Sequence, residues 1–186
     1  QELYSNARFP TPSQAEPAYA QLGLIPLSEV IFGGWDIVSD TYSGSCLTHK
    51  VVPKHMVLEI AQQLNQTDVY PAILAQPDEV IEKLLQGEDS LRNRTAEFST
   101  TLFVKRPIVD LLRSVEFDIE DFQKKHQIKK LIVVNLSSTD KWVTLAPVHQ
   151  SLEAFEKGIH ENDSRITTGM IYSYAAIRKK CHVINF

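Results

Sequence analysis

Leu131-Ile-Val-Val-Asn135-Leu-Ser-Ser-Thr139-Asp140 is the stretch that decides the fold class. An apolar run rich in β-branched residues enters a cluster of small polar ones, the pattern of a strand that ends in a loop. Its near-continuous apolar character predicts a strand covered on both faces, as in parallel sheets. In open α/β sheets ligands bind just beyond the carboxyl ends of such strands. Asn135, Ser137, Ser138 and Thr139 are therefore candidates to bond a nucleotide through side chains and backbone amides. The structural alternative is that they cap the next element, with Asp140 solvated.

The segments on either side alternate between strand and helix patterns. Pro10, Pro12, Pro17 and Pro26 mark residues 1–27 as an irregular lead-in. Ser28 to Phe32 reads as a short strand stopped by Gly33-Gly34. Pro53 to Leu64 reads as a helix with Met56, Val57, Ile60, Ala61 and Leu64 on one face. Val69 to Ala75 reads as a second strand or extended segment, moved toward a sheet edge by Pro71. Pro77 to Leu85 starts another helix, and Gln86 to Thr101 reads as a polar loop. Lys105 to Gln127 is a long amphipathic helix carrying Ile108, Val109, Leu112, Val115, Ile119 and Phe122, with Lys124, Lys125 and His126 complementing its C-terminal dipole. Ser151 to Ile159 is a short helix. Ser164 is the expected cap of a helix reaching Lys179, with Met170, Ile171, Tyr174 and Ile177 on its buried side. Cys181 to Phe186 reads as a last strand. Such alternation implies βαβ units, hence an α/β, Rossmann-like fold with a mostly parallel sheet flanked by helices.

Composition narrows the function classes. The 186 residues fit one domain of ordinary size, with 43% hydrophobic and 23% charged residues and a formal net charge of -4. Without a long basic run, nucleic acid is not expected as the main partner. No apolar stretch approaches the roughly 18 residues needed to span a bilayer, and the N-terminus lacks the basic and apolar regions of a signal peptide. A cytoplasmic location is expected. Gln1 in place of Met reads as a truncated or processed start. Cys46 and Cys181 lie far apart without metal-type spacing and read as two reduced thiols, with a disulfide or a reactive nucleophile as the alternatives.

Several residues invite chemistry. Gly33-Gly34-Trp35-Asp36-Ile37 comes directly after the first strand pattern. Two glycines let a backbone turn tightly and approach a ligand, and Asp36 can accept hydrogen bonds from ribose hydroxyls. The plainer reading is a turn with Asp36 capping the next segment. The six histidines show no metal-binding spacing. His149, after Pro147, is either a loop general base or a surface histidine. Ser43-Gly-Ser45 matches only part of a nucleophile motif. Neither Gly-x-Gly-x-x-Gly nor Gly-Lys-Ser/Thr occurs in the 186 residues.

Three stretches together resemble the inositol-phosphate synthase family. Val30-Ile-Phe-Gly-Gly-Trp-Asp-Ile37 resembles its Phe-Gly-Gly-Trp-Asp-Ile turn. Val133-Val-Asn-Leu-Ser-Ser-Thr-Asp140 resembles its strand ending in Ser/Asn-Thr-Glu, with Asp140 in place of the usual glutamate. Ser151-Leu-Glu-Ala-Phe155 followed by Ile171-Tyr-Ser-Tyr-Ala-Ala-Ile177 resembles its paired downstream helices. Order and spacing agree over residues 28–186. The resemblance implies an enzyme that converts glucose 6-phosphate to inositol phosphate. It oxidises the sugar with NAD, closes the ring by an aldol step and reduces the product with the same NADH, a net isomerisation. It places Asp36 at the adenosine ribose and Leu136, Ser137, Ser138 and Thr139 along the cofactor. Asp68 takes a place where some members contact NAD through a serine.

The resemblance also implies a homo-oligomer, in this family a tetramer, and assigns residues 1–186 to the middle of the family's NAD-binding half. The family's glycine-rich pyrophosphate loop and its catalytic lysines and aspartate have no counterpart here. This stretch by itself is therefore expected to bind NAD poorly and not to turn over, and catalytic residues are not assigned. The alternatives are a non-catalytic binding or assembly module derived from the family, or another NAD-dependent dehydrogenase, which would accumulate NADH.

Overall fold

A computed structural model describes residues 25–26, 29–36, 41–50, 52–75, 106–136 and 142–186. The chain divides into two compact units, residues 1–32 and residues 33–186. In the first, the Glu29 amide donates to the Pro26 carbonyl at 2.9 Å, while Ile31 and Phe32 are exposed. The second contains the described strands and α-helices. The helix expected over Pro77–Leu85 and the loop over Gln86–Thr101 lie outside the described residues.

The first strand among the described residues, β1, is Gly33–Asp36, and the described part of the expected strand, Glu29 to Phe32, is not a strand. Val30 and Ile31 carry the better strand propensity, but pairing decides. Gly33 suits the start of the strand because the chain there runs against a packed helix. A Cβ on Gly33 would stand 2.5 Å from the Phe122 ring, whereas one on Gly34 would meet nothing within 4 Å. β1 pairs in parallel with β2 (Asp68–Pro71), with Gly33 opposite Asp68 and Asp36 opposite Pro71. Proline has no N–H to donate, so the last link comes from Ala72, whose amide donates to the Asp36 carbonyl at 2.9 Å.

Between these strands lie three short helices, α1 (Tyr42–His49), α2 (Lys54–Glu59) and α3 (Ala61–Leu64). The single helix expected from Pro53 to Leu64 breaks at Ile60, where φ is -116°. Of its apolar face only Val57 is fully buried; Met56 and Ile60 are exposed.

Among the described residues, three longer helices carry the core. In α4 (Ile108–Lys125), Ile108, Leu111, Leu112, Val115, Ile119 and Phe122 recur at helical spacing and are buried. Pro107 precedes its first turn, and the otherwise unpaired Ile108 amide donates to Asn162 Oδ1 at 2.8 Å. α5 (Leu152–Glu161) is capped by Ser151, whose Oγ accepts from the Ala154 amide at 3.1 Å. α6 (Thr168–Arg178) is capped by Thr167, not by Ser164. Its buried face runs through Ile171, Ala175 and Ala176, and Ile177 is 62% exposed. Small side chains there let α6 lie close on α4, with which it makes its most extensive packing. Of the expected stripe, Ile171 is buried and Met170 and Tyr174 pack half-buried against the core, and Ile177 alone turns outward.

β3 (Ile132–Asn135) and β4 (His182–Asn185) form a second parallel pair, with Asn135 opposite Asn185. Coverage of β3 departs from the sequence expectation. Val133 is buried, but Ile132 and Val134 remain 54% and 44% exposed. Side chains alternate across a strand, so one face of β3 packs on the core and the other stays open. No described helix is long and apolar enough to cross a membrane.

Candidate functional site

Asp36 is the last residue of β1 and so stands at the carboxyl end of the β1–β2 pair. Gly33 and Trp35 face α4, as the Phe122 contact and the Trp35 bond to α4 show. Alternation turns Asp36 to the other face. There it meets α1, where Ser45 Oγ donates to its carboxylate. Ser45 Oγ also lies 3.2 Å from the Thr41 carbonyl, and Thr41 Oγ1 accepts from the Gly44 amide at 3.3 Å as the cap of α1. Ser43-Gly-Ser45 is thus the first turn of a capped helix that steadies Asp36. The Ser43 amide donates to Asn65 Oδ1 at 3.1 Å.

Trp35 anchors β1 from the opposite face. Its indole N–H donates to Asp118 Oδ2 at 2.8 Å, and its ring meets Tyr172 with centroids 5.0 Å apart. Burial is the main cause that lifts the Asp118 carboxyl to about 6; the indole bond opposes it and the nearby Asp121 charge adds to it. Tyr70 donates to that second carboxylate, Asp121, at 2.8 Å, and its phenol is raised first by burial and then by this partner. Tyr172 accepts the Ile73 amide at 2.9 Å, and Thr168 Oγ1 accepts the Ala75 amide at 3.0 Å. Two side chains of α6 therefore hold the chain where it leaves β2. A cleft of about 610 Å³ opens beside that exit, and Arg106, Ser114 and Asp118 contribute polar groups to its wall.

Asp68 stands at the other end of the strand pair. It opens β2, opposite Gly33, three pairing positions from Asp36. Lys125 donates to one carboxylate oxygen, and His126 Nε2 lies 2.6 Å from the other. Burial works against its charge, yet these two partners together hold it below the ordinary carboxylate range. The placement makes Asp68 a clamp between β2 and the end of α4, away from the carboxyl end where a cofactor is expected.

At the carboxyl ends of β3 and β4, Asn135 Nδ2 donates to Asn185 Oδ1 at 2.7 Å, and the Phe186 amide reaches the Asn135 carbonyl at 3.4 Å. Leu136, the first residue beyond β3, is 76% exposed. Ser137, Ser138, Thr139 and Asp140 lie outside the described residues. His149 is not placed as a general base. Its Nδ1 accepts from the Ala146 amide and its Nε2–H reaches the Arg165 carbonyl, each at 3.2 Å, so both ring nitrogens are spent on backbone. Cys46 and Cys181 are unpaired and half-buried.

Sequence reasoning found Asp36 but missed its support. Thr41 and Gly44 are a cap signal, yet α1 contains a glycine and two serines and shows little apolar periodicity. Asp118 and Asn185 gave no local signal, because their partners lie 83 and 50 residues away.

Parallel strand pairs, helices packed against them and a carboxylate at a strand's carboxyl end define a Rossmann-like α/β domain. Its fold matches inositol-3-phosphate synthase from Caenorhabditis elegans with a TM-score of 0.66 at 14% identity, over 87% of this chain and 29% of that one. The family model of myo-inositol-1-phosphate synthase matches residues 11–186, and the chain belongs to that family. It is 28% identical to inositol-3-phosphate synthase 1 of Bacteroides thetaiotaomicron over 155 residues, 83% of this chain and 33% of the relative. It is 22% identical to inositol-3-phosphate synthase of Trypanosoma brucei brucei over 91% of this chain and 30% of the relative. The chain thus spans about a third of the length of the curated relatives it matches.

Proposed function

We propose that these residues form part of the NAD-binding half of a synthase that converts glucose 6-phosphate to inositol phosphate. The observation that carries this reading is the position of Asp36, in a chain of this family, at the carboxyl end of β1. A carboxylate there accepts the two hydroxyls of an adenosine ribose. The fit is chemical as well as positional, because a carboxylate is the acceptor type that ribose hydroxyls, as donors, require. Leu136 contributes backbone beyond β3, and Ser137, Ser138 and Thr139 contribute hydroxyls and amides along the cofactor. NAD supplies a hydride acceptor whose reduced form returns the hydride later in the same cycle. The chain's own residues bind and orient; the groups that move protons on the sugar are not assigned among them. A homo-oligomer in the cytoplasm, with no nucleic acid or membrane partner, completes the proposal.

The test uses the full-length natural protein. Calorimetry is expected to detect NAD binding, and Asp36→Ala to weaken it about tenfold or more, roughly 1.4 kcal/mol. Glucose 6-phosphate should give inositol phosphate without net accumulation of NADH. Absence of NAD binding would favour a non-catalytic module, and accumulating NADH would favour an ordinary dehydrogenase; either result overturns the proposal.

A further inference from the structure

We infer that Asp118 is a positioning residue for the cofactor site, fixing through the Trp35 indole N–H the end of β1 from which Asp36 faces the ribose. The inference rests on the proposed role of Asp36 in NAD binding. Trp35 and Asp36 are neighbours whose side chains leave β1 on opposite faces. Whatever clamps the indole therefore fixes the backbone that aims the carboxylate.

The clamp forms a circuit. Asp118 on α4 accepts from Trp35 at 2.8 Å. The indole lies against Tyr172 of α6, tilted by 58°. Tyr172 accepts the Ile73 amide at 2.9 Å, and the neighbouring Ala72 amide donates to the Asp36 carbonyl, also at 2.9 Å. Asp36 is thus reached from both directions, through Trp35 along β1 and through Ala72 from β2. Asp118 also has a solvent-facing side on the cleft beside the β2 exit.

The choice of acceptor argues for more than packing. A neutral side chain would satisfy an indole N–H without the penalty of a partly buried charge next to Asp121. A carboxylate makes the stronger, charge-assisted bond, which restricts how far the end of β1 can drift. Catalytic and binding groups displaced by about 1 Å lose much of their effect.

The experiment measures NAD affinity and melting temperature on the full-length natural protein and its variants. Asp118→Ala and Trp35→Phe should each weaken NAD binding about tenfold, and the double variant should be no worse than either single one. Asp118→Asn keeps an acceptor oxygen but loses the charge, and its NAD affinity should fall between those of the parent and Asp118→Ala. Should Asp118→Ala fail to fold, Trp35→Phe beside Asp118→Asn carries the comparison. Unchanged affinity in folded variants, whatever their melting temperature, makes the contact merely structural and overturns the inference. So does an additive double variant, or an Asp118→Asn variant as weak as Asp118→Ala or Trp35→Phe. A parent that binds no NAD overturns the functional reading and this inference together. A parent that loses NAD on Asp36→Ala but is indifferent at position 118 overturns this inference alone.

Discussion

Single atoms decide much at two glycines. Gly33 lies under the Phe122 ring, and a methyl group would stand 2.5 Å from Cε2, inside any normal contact. Gly33→Ala should lower stability by about 1–3 kcal/mol, the usual cost of overpacking. Gly34→Ala, with open space around its Cβ, should stay within about 0.5 kcal/mol. Chemical denaturation of the two variants checks the contrast; equal losses would mean that Phe122 moves aside freely. Gly158 gives the same lesson inside α5. A Cβ there would collide with Val148 and stand 3.2 Å from Ile166 Cδ1. Gly158→Ala should therefore destabilise despite the roughly 1 kcal/mol that alanine gains over glycine in a helix.

At the scale of elements, the helix ends carry the most readable physics. α4, α5 and α6 each end on a left-handed residue, Gln127 (φ 53°), Asn162 (φ 57°) and Lys180 (φ 59°). Each shows the paired bonds of a Schellman end. The Ile128, Asp163 and Cys181 amides reach the Gln123, Gly158 and Ala176 carbonyls, all at 2.9 Å. Glycine adopts that conformation without strain, so Gln127→Gly and Lys180→Gly should each stabilise by about 0.5–1 kcal/mol. Asn162→Gly should do the reverse, because the Asn162 side chain also satisfies the first amide of α4. Melting temperatures of the three variants check this, and a uniform shift in one direction would sink the argument.

For the whole molecule, pH acts through carboxylates of opposite sign. Asp68 sits below its ordinary value, and Asp163 is held near 2, chiefly by its hydrogen bond from Arg165. Their contributions to stability are present above the unfolded value of 3.8 and are lost as pH falls through the lower folded values. Asp118, raised to about 6, behaves oppositely: its contribution is complete below 3.8 and fades as pH rises through 6. Relative to the parent, Asp118→Asn should therefore be more stable at pH 7.5 than at pH 4. That difference should be on the order of 1 kcal/mol after allowance for solvent screening of a partly exposed group. Asp68→Asn should be destabilised at neutral pH, with the deficit shrinking below pH 4. Urea titrations across pH 3.5–8 read both; a flat Asp118→Asn difference would remove the burial argument.

Local patterns along the chain are enough to set the class of fold and most of its elements. The long period of α4 and the strands β3 and β4 were legible because each is a local pattern of apolar spacing; Asp36 was singled out as well, but on an expected turn that is in fact strand β1. The family was legible too, since its motifs are short and ordered along the chain. Long-range pairing sets where β1 begins, because Gly33–Asp36 become a strand by pairing with Asp68–Pro71 and not by propensity. Tertiary packing also decides that α6 buries alanines, that β3 keeps one face open, and that Asp68 serves Lys125 and His126. Asp118 gains its meaning only from Trp35, 83 residues earlier. Burial and hydrogen bonding between distant segments are properties of the folded chain, and no window of sequence contains both partners.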